Sequence, residues 1–216
     1  MSRETERRSM IREQLQRRNI HDERVLHAMS VVPRHMFVPS ELDEHAYADN
    51  ALPIAENQTI SQPYIVALTV TALQLQGHER VLEIGTGSGY AAAVLAQLAA
   101  EVWTIERHRS LAEGAARRLA ELRYTNVHVL LGDGTGGLPE HAPYDGIAVA
   151  AAGPHVPRSL LDQLAQGGRL VIPIGDRDEQ RLLRIVRTRD GLREDSLGPV
   201  RFVPLVGREG WQDEGE

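Results

Sequence analysis

The sequence predicts an α/β fold: a doubly wound, mostly parallel sheet with antiparallel C-terminal strands and added N-terminal helices. From Arg80 onward, short apolar runs alternate with helical stretches, which is typical of parallel strands buried on both faces. The runs are RVLEIG, EVWTIE, VHVLLGD, YDGIAVA and GGRLVIPIG. The clearest helices among them cover residues 109–123 and 157–165. Near the C-terminus, a turn at Asp190-Gly191 joins two further runs and predicts that the sheet ends antiparallel.

Residues 5–30 predict two amphipathic helices in front of the sheet. Apolar residues recur at helical spacing in both, namely Met10, Ile11 and Leu15, then Val25, Leu26 and Met29. Asp22 is the predicted N-cap of the second helix. Ser40 with Asp43 resembles a capping box, so a short third helix is expected there.

The stretch ENQTISQPYIVALTV, residues 56–70, joins a polar run to a helix. Its second half predicts a helix with Pro63 in the first turn. Its first half places Gln58, Thr59, Ser61 and Gln62 before a helix N-terminus, where backbone N–H groups lack partners and the helix dipole is positive. An anionic ligand would fit these donors. The alternative is that Ser61 only caps the helix, and the sequence leaves both roles open.

Composition excludes several kinds of chemistry. The net charge of −6, from 24 basic and 30 acidic residues, argues against a nucleic-acid partner. The chain has no Cys and no Lys, which removes thiol nucleophiles and Schiff-base lysines. Its nine His residues have no metal-binding spacing, so no metal is predicted. No signal-peptide core and no membrane-spanning run is present, so a cytoplasmic protein without a membrane partner is expected.

A glycine-rich turn follows the first apolar run of the predicted sheet. VLEIGTGSGY places Gly85, Gly87 and Gly89 between a strand and a helix, where a ligand can approach the backbone. The spacing is G-x-G-x-G. A dinucleotide fingerprint needs its third Gly at the position of Tyr90, so NAD is disfavoured.

Two carboxylates follow the next two runs. Glu106 ends the second strand, where it could accept both ribose hydroxyls, and Asp133 ends the third, where it could accept an adenine amino group. Alone, each is more often an ordinary polar residue at a strand end. Together with the glycine turn, they predict an adenosine site at the carboxyl edge of the sheet.

Several segments resemble known families. VLEIGTGSGY, TIE and GDG are similar to the cofactor motifs of class I S-adenosylmethionine-dependent methyltransferases. Narrower segments resemble one family of that class, the protein-L-isoaspartate O-methyltransferases: PRHMFVP, ENQTISQPYIVA, APYDGIAVAAAGP, LLDQLAQGGRLVIPIG and VRFVPL. The similarity runs to about Val206. It implies a single methyltransferase domain over residues 1–206 with a Rossmann-like sheet, divided into an N-terminal helical extension at about 1–55 and a cofactor-binding core at about 56–206. The tail, residues 207–216, is expected to be disordered.

The resemblance also implies an activity and a site. A monomeric enzyme would transfer a methyl group from S-adenosyl-L-methionine to the free α-carboxyl of L-isoaspartyl residues in damaged proteins and peptides. Ser61 would be catalytic. The implied cofactor-binding residues are Thr59, Ile60, Ser61, Glu83, Gly85, Thr86, Gly87, Ser88, Gly89, Glu106, Asp133 and Gly134. The implied substrate-binding residues are Gln58, Ser61, Gln62, Ala151 and Val206.

Two other functions remain possible from the sequence. One is a class I methyltransferase with another substrate, either a small molecule or a protein. Against amino-group substrates, the fourth run ends in AVAAAGP, without the polar side chain that would hold an amine. The other is a non-catalytic nucleoside-binding module, against which the intact TISQP segment argues.

Overall fold

The computed structural model describes residues 2–212. Its strands are β1 (Leu52–Pro53), β2 (Thr59–Ile60), β3 (Arg80–Ile84), β4 (Glu101–Glu106), β5 (Val127–Leu131), β6 (Tyr144–Val149), β7 (Leu164–Gly175), β8 (Gln180–Thr188) and β9 (Gly191–Val200). Its α-helices are α1 (Arg3–Ser9), α2 (Glu23–Val31), α3 (Pro63–Leu73), α4 (Tyr90–Ala96), α5 (Arg109–Glu121) and α6 (Arg158–Asp162).

Strands β3 to β9 form one sheet of seven strands in the order β5-β4-β3-β6-β7-β8-β9. The pairs from β5 to β7 are parallel, whereas β8 and β9 join antiparallel. The predicted fold class is therefore confirmed. The order in which strands are added reverses at β3, because β4 and β5 lie on one side of it and β6 and β7 on the other. A crevice opens beside the carboxyl ends of the strands at such a point. Strands β1 and β2 form a separate antiparallel hairpin.

The N-terminal segment is helical but less regular than its apolar spacing predicts. Helix α1 continues into a π-helical turn over Met10–Leu15 and a 3-10 turn over Gln16–Arg18. The buried side chains of Met10 and Leu15 pack into the core, which fixes this segment although its helical geometry changes. The predicted N-cap of α2 is confirmed, because Asp22 accepts hydrogen bonds from the backbone N–H groups of Arg24 and Val25.

Two helix predictions are corrected by the structure. The helix expected over residues 157–165 is only Arg158–Asp162, because Leu164 already pairs with Tyr144 in the sheet. Ser40 forms no capping box, since the short 3-10 segment there has no side-chain cap. Its hydroxyl lies near Glu41 instead. The helix expected over residues 109–123 is observed as α5 and ends two residues earlier.

A buried arginine connects the N-terminal segment to the sheet domain. Arg34 is fully buried, donates from Nε to the Ala46 carbonyl at 2.7 Å, and lies over the Tyr90 ring at 4.7 Å. Burial lowers the pKa of Arg34. Because Tyr90 begins α4 directly after the glycine turn, this contact anchors the N-terminal segment against the base of the crevice.

The predicted disorder of the tail does not extend over residues 207–212. Trp211 donates from Nε1 to the Ala152 carbonyl at 2.9 Å, and the backbone N–H of Arg208 donates to Asp133 Oδ2 at 2.9 Å. This part of the tail packs against the carboxyl edge of the sheet, and the rest of the predicted tail lies outside the described residues. Within residues 2–212, no helix has the length and apolar character needed to cross a bilayer.

Candidate active site

A cavity of about 390 Å³ opens at the carboxyl ends of β3, β4 and β6. One wall is the glycine turn after β3, and a second is the β1–β2 hairpin with the start of α3. The segment after β9, from Val203 to Val206, closes a third side. This is the position that the reversal of strand order predicts for a ligand site.

The glycine turn has the backbone geometry that its sequence predicts. Gly85, Gly87 and Gly89 have φ values of +91°, +54° and +89°, which side chains with a Cβ rarely adopt. A Cβ added at Gly85 would lie 3.4 Å from the Ala150 Cβ. The turn is therefore closely packed against the end of β6 and leaves its backbone facing the cavity.

Glu106 lies at the end of β4 and lines the cavity. Its Oε2 accepts a hydrogen bond from the Gly87 N–H at 2.8 Å, and its Oε1 accepts one from the His108 N–H at 2.9 Å. Each carboxylate oxygen can accept a second hydrogen bond. Glu106 thus holds the glycine turn in place and keeps acceptor capacity for a pair of hydroxyls.

Asp133 follows β5 but does not line the cavity. Its Oδ1 accepts hydrogen bonds from the Thr135 N–H at 2.9 Å and hydroxyl at 2.7 Å, while the Arg208 N–H occupies Oδ2. Burial acts to raise the pKa of Asp133, but these hydrogen bonds outweigh it and lower the pKa. A Cβ at Gly207 would collide with Oδ1, so the tail lies directly on this carboxylate. Its neighbour Gly134 does line the cavity.

Glu83 lies behind the glycine turn on β3, with only 1% of its surface exposed. Its Oε2 accepts a hydrogen bond from the Thr104 hydroxyl at 2.6 Å, and among the described residues its Oε1 has no partner. Burial, and to a lesser degree the nearby Glu106, raises the pKa of Glu83 to about 8, although the Thr104 hydrogen bond opposes the shift. A small hollow of about 30 Å³ brings Glu83 together with Ser61 and Ala150.

The raised pKa of Glu83 predicts a pH dependence of folding. The folded protein holds a proton on Glu83 that the unfolded chain loses above about pH 4.5, so stability falls as the pH rises from about 5 to 8. Glu83→Gln should remove this loss, which is of the order of a few kcal/mol. Urea unfolding of the cofactor-free protein at several pH values in this window measures it. Parallel stability curves for the parent and the variant would contradict the assignment.

The role of Ser61 as a helix cap is not supported. Helix α3 begins at Pro63 with Gln62 as the N-cap residue, and no side chain caps it. The Ser61 side chain is half-buried, and within residues 2–212 it makes no hydrogen bond. Gln62 instead donates from Nε2 to the carbonyl and to Oδ1 of Asp49, at 2.9 and 2.8 Å. The hydroxyl of Ser61 is consequently available to a ligand.

A second cavity of about 520 Å³ adjoins the first. It is lined by the first turns of α3 and the chain from Leu197 to Val203, together with Arg18 and Asp49 of the N-terminal segment. Of the residues that the structure describes, four line both cavities: Thr59, Ser61, Ala150 and Val203. The two cavities therefore meet at a common wall that carries the Ser61 hydroxyl.

Most of the predicted site residues meet at the first cavity. Those that line it are Gln58, Thr59, Ile60, Ser61, Gly85, Thr86, Gly87, Ser88, Glu106, Gly134, Ala151 and Val206. Gln62 faces the second cavity and Glu83 the small hollow, whereas Gly89 and Asp133 line neither. The sequence prediction missed Glu56 and Asn57 at the hairpin tip and Arg107 and His108 after β4. In the sequence, only their position next to the predicted site residues Gln58 and Glu106 indicated that they could line the cavity.

The fold and the cavity define a Rossmann-like methyltransferase of class I. Residues 5–210 match the family model described as protein-L-isoaspartate(D-aspartate) O-methyltransferase. A protein-L-isoaspartate O-methyltransferase of Roseiflexus castenholzii is 58% identical over 209 residues, which are 97% of this chain and 95% of the relative. The chain belongs to the protein-L-isoaspartate(D-aspartate) O-methyltransferase family.

Solved structures agree with this membership. A structure named protein-L-isoaspartate O-methyltransferase is 30% identical with a TM-score of 0.85, over 97% of this chain and 67% of that one. A beta-aspartate methyltransferase structure from Plasmodium falciparum, in complex with S-adenosyl-L-homocysteine, is 26% identical with a TM-score of 0.79. That match covers 93% of this chain and 98% of the other.

Proposed function

We propose that the first cavity holds S-adenosyl-L-methionine, the second holds the substrate, and Ser61 acts at the wall between them. The enzyme transfers a methyl group from this cofactor to the free α-carboxyl of L-isoaspartyl residues in damaged proteins and peptides, and so acts in protein repair. The observation that carries the assignment of residues is the common wall. It places a hydroxyl without a partner where the contents of the two cavities would meet.

The residues of the first cavity fit the cofactor. Its volume of about 390 Å³ lies within the range typical of small-molecule sites. Glu106 would accept the ribose hydroxyls, and the N-terminal end of the glycine turn would contact the cofactor through backbone atoms. Beside this cavity, the small hollow that shares Ser61 and Ala150 with it contains the orphaned Oε1 of buried Glu83, which would accept a donor from a cationic methionine end that reached it. When bound, the cofactor supplies an electrophilic methyl group on a sulfonium.

The chain's own residues need not remove a proton from the substrate. A carboxyl group with an ordinary pKa near 4 is already ionised at neutral pH, so no general base is required. None of the four residues in the common wall is titratable. Ser61 would donate a hydrogen bond to one carboxylate oxygen, while the small side chains of Ala150 and Ala151 leave room for the substrate backbone. The work of the site is thus to position a carboxylate and exclude water.

The methyl ester formed in this way would cyclise to a succinimide without further help from the enzyme, because the amide nitrogen of the following residue attacks the ester carbonyl and methanol leaves. Hydrolysis of the succinimide then returns part of the material as normal aspartate. No residue of the site is needed for either step, which agrees with the absence of an acid or base at the common wall.

The proposal also extends to the organisation of the chain and its partners. We treat residues 1–206 as one methyltransferase domain whose N-terminal extension contributes Arg18 and Asp49 to the substrate cavity. The enzyme acts as a cytoplasmic monomer on isoaspartyl proteins and does not bind nucleic acid. The net charge of −6 supports the last point.

A pair of peptides that differ only at one residue tests the function. Tritium transfer from labelled cofactor should occur to an isoaspartyl peptide and be near background for its aspartyl twin. Equal labelling of the twins would indicate another substrate. Binding of S-adenosylhomocysteine without labelling of the isoaspartyl peptide would indicate a nucleoside-binding module.

A further inference from the structure

The second cavity has an uneven distribution of charge. Its charged lining residues are Arg18, Asp49 and Arg201. Arg18 and Asp49 neutralise each other, because Arg18 Nη1 lies 3.0 Å from Asp49 Oδ2. The Arg18 guanidinium also lies over the Tyr64 ring at 3.5 Å, and Gln62 donates to the other Asp49 oxygen. This ion pair therefore adds no net charge to the cavity.

Among the described lining residues of the second cavity, Arg201 is the charged residue left once Arg18 and Asp49 are paired. It follows the end of β9 and is exposed, and among residues 2–212 its side chain makes no ion pair or hydrogen bond. The backbone beside it is nevertheless held in place, because the next residue, Phe202, makes two hydrogen bonds to the Gln180 side chain. The Phe202 N–H donates to Gln180 Oε1 at 2.7 Å, and Gln180 Nε2 donates to the Phe202 carbonyl at 3.3 Å.

We propose that Arg201 is a specificity-determining residue, which binds the carboxylate of an acidic residue close to the isoaspartyl residue in the substrate. The inference rests on the proposed function, in which the second cavity holds the substrate. A peptide whose isoaspartyl carboxyl reaches the common wall must run its flanking residues along the rest of this cavity. Arg201 lines this cavity, in a chain whose overall charge of −6 would otherwise repel an acidic peptide.

The expected effect is modest and sensitive to salt. An exposed ion pair changes affinity by about two- to fivefold, and salt screens it. An arginine is suited to this role because its planar guanidinium can bind both oxygens of a carboxylate. The enzyme would therefore methylate peptides with an acidic flanking residue faster, but would still methylate peptides without one.

The experiment compares methylation of matched isoaspartyl peptides. A reference peptide carries Gln near the isoaspartyl residue, and its partners carry Glu or Lys instead, with each of two positions on either side tested in turn. The readout is the ratio of kcat/KM for the Glu peptide to that for the Gln peptide, measured for each enzyme separately. Changes in overall activity cancel in this ratio.

For the parent enzyme, the ratio should reach about two to five at one or more positions and fall toward one at high salt. Arg201→Gln should bring it to about one, and Arg201→Glu should make the Lys peptide the better substrate. The matched control is Arg189→Gln, which removes the same charge in the exposed turn between β8 and β9, at the opposite end of that hairpin. It should leave the ratio unchanged.

The inference would be overturned if the Glu-to-Gln ratio of kcat/KM were near one at every position in the parent. It would also be overturned if the ratio stayed above one in Arg201→Glu. An equal effect of Arg189→Gln would overturn it as well, because the preference would then follow total charge. These outcomes differ from failure of the proposed function, in which the uncharged reference peptide itself would not be methylated.

Discussion

Gly87→Val is expected to abolish cofactor binding in a protein that still folds. Gly87 has φ +54°, where a β-branched residue is strongly disfavoured, and its N–H holds Glu106 Oε2. Among residues 2–212, a Cβ there would come within 4 Å of the Ile54 side chain alone, at 3.6 Å, so the cofactor-free protein has room for it. The backbone would have to shift to relieve the strain, and that shift moves the turn and Glu106 together. We expect Kd for S-adenosylhomocysteine to rise at least about 100-fold, or about 3 kcal/mol.

Gly167→Val is the matched control for this change. Gly167 lies in β7 with φ +79°, and a Cβ there would meet nothing within 4 Å. The substitution has a similar backbone cost, of about 1–3 kcal/mol, away from both cavities. Calorimetric titration should find normal binding in this variant at temperatures where it is folded. Binding of Gly87→Val within tenfold of the parent would mean that the turn does not approach the cofactor closely.

The sequence was most informative where structure is local and periodic. The glycine turn and the strand that precedes it follow from short apolar runs and from the conformational freedom of glycine, which depend little on the rest of the chain. Glu106 was predictable for the same reason, because the end of a parallel strand fixes the edge of the sheet on which it lies. The prediction for Asp133 is still untested: Thr135 occupies one of its oxygens, and the Arg208 N–H of the tail occupies the other.

The sequence was least informative where distant segments meet. The second cavity combines Arg18, Asp49 and Arg201, which no spacing rule relates. The prediction of a helix over residues 157–165 was wrong in its end, because β7 begins at Leu164, where it pairs with β6, although helix propensity continues further. Ser61 would be the N-cap residue only if α3 began one residue earlier than it does, because the observed helix begins at Pro63 and its N-cap residue is Gln62. That boundary lies within the error of any sequence-based assignment.

Ser61→Ala is expected to lower the turnover of an isoaspartyl peptide by at least about tenfold with little change in stability. Its hydroxyl has no hydrogen bond within the described part of the chain and does not cap α3, so its removal breaks no hydrogen bond there. A positioned hydrogen bond to a reacting anion, by contrast, is commonly worth about 1.5–3 kcal/mol. Turnover per folded enzyme should be measured well below the melting temperature, beside a melting curve and a cofactor titration.

Glu106→Gln is the control for Ser61→Ala, because it is expected to weaken cofactor binding more than turnover. It exchanges one of the two carboxylate oxygens that line the first cavity for an amide donor, so cofactor affinity should fall, while turnover at saturating cofactor falls less. Ser61→Ala should instead keep cofactor affinity within about twofold, because the glycine turn and Glu106 are unchanged. A turnover of Ser61→Ala within about twofold of the parent corresponds to well under 1 kcal/mol. In that case the common wall would position the carboxylate through backbone N–H groups and shape, and Ser61 would have no catalytic role.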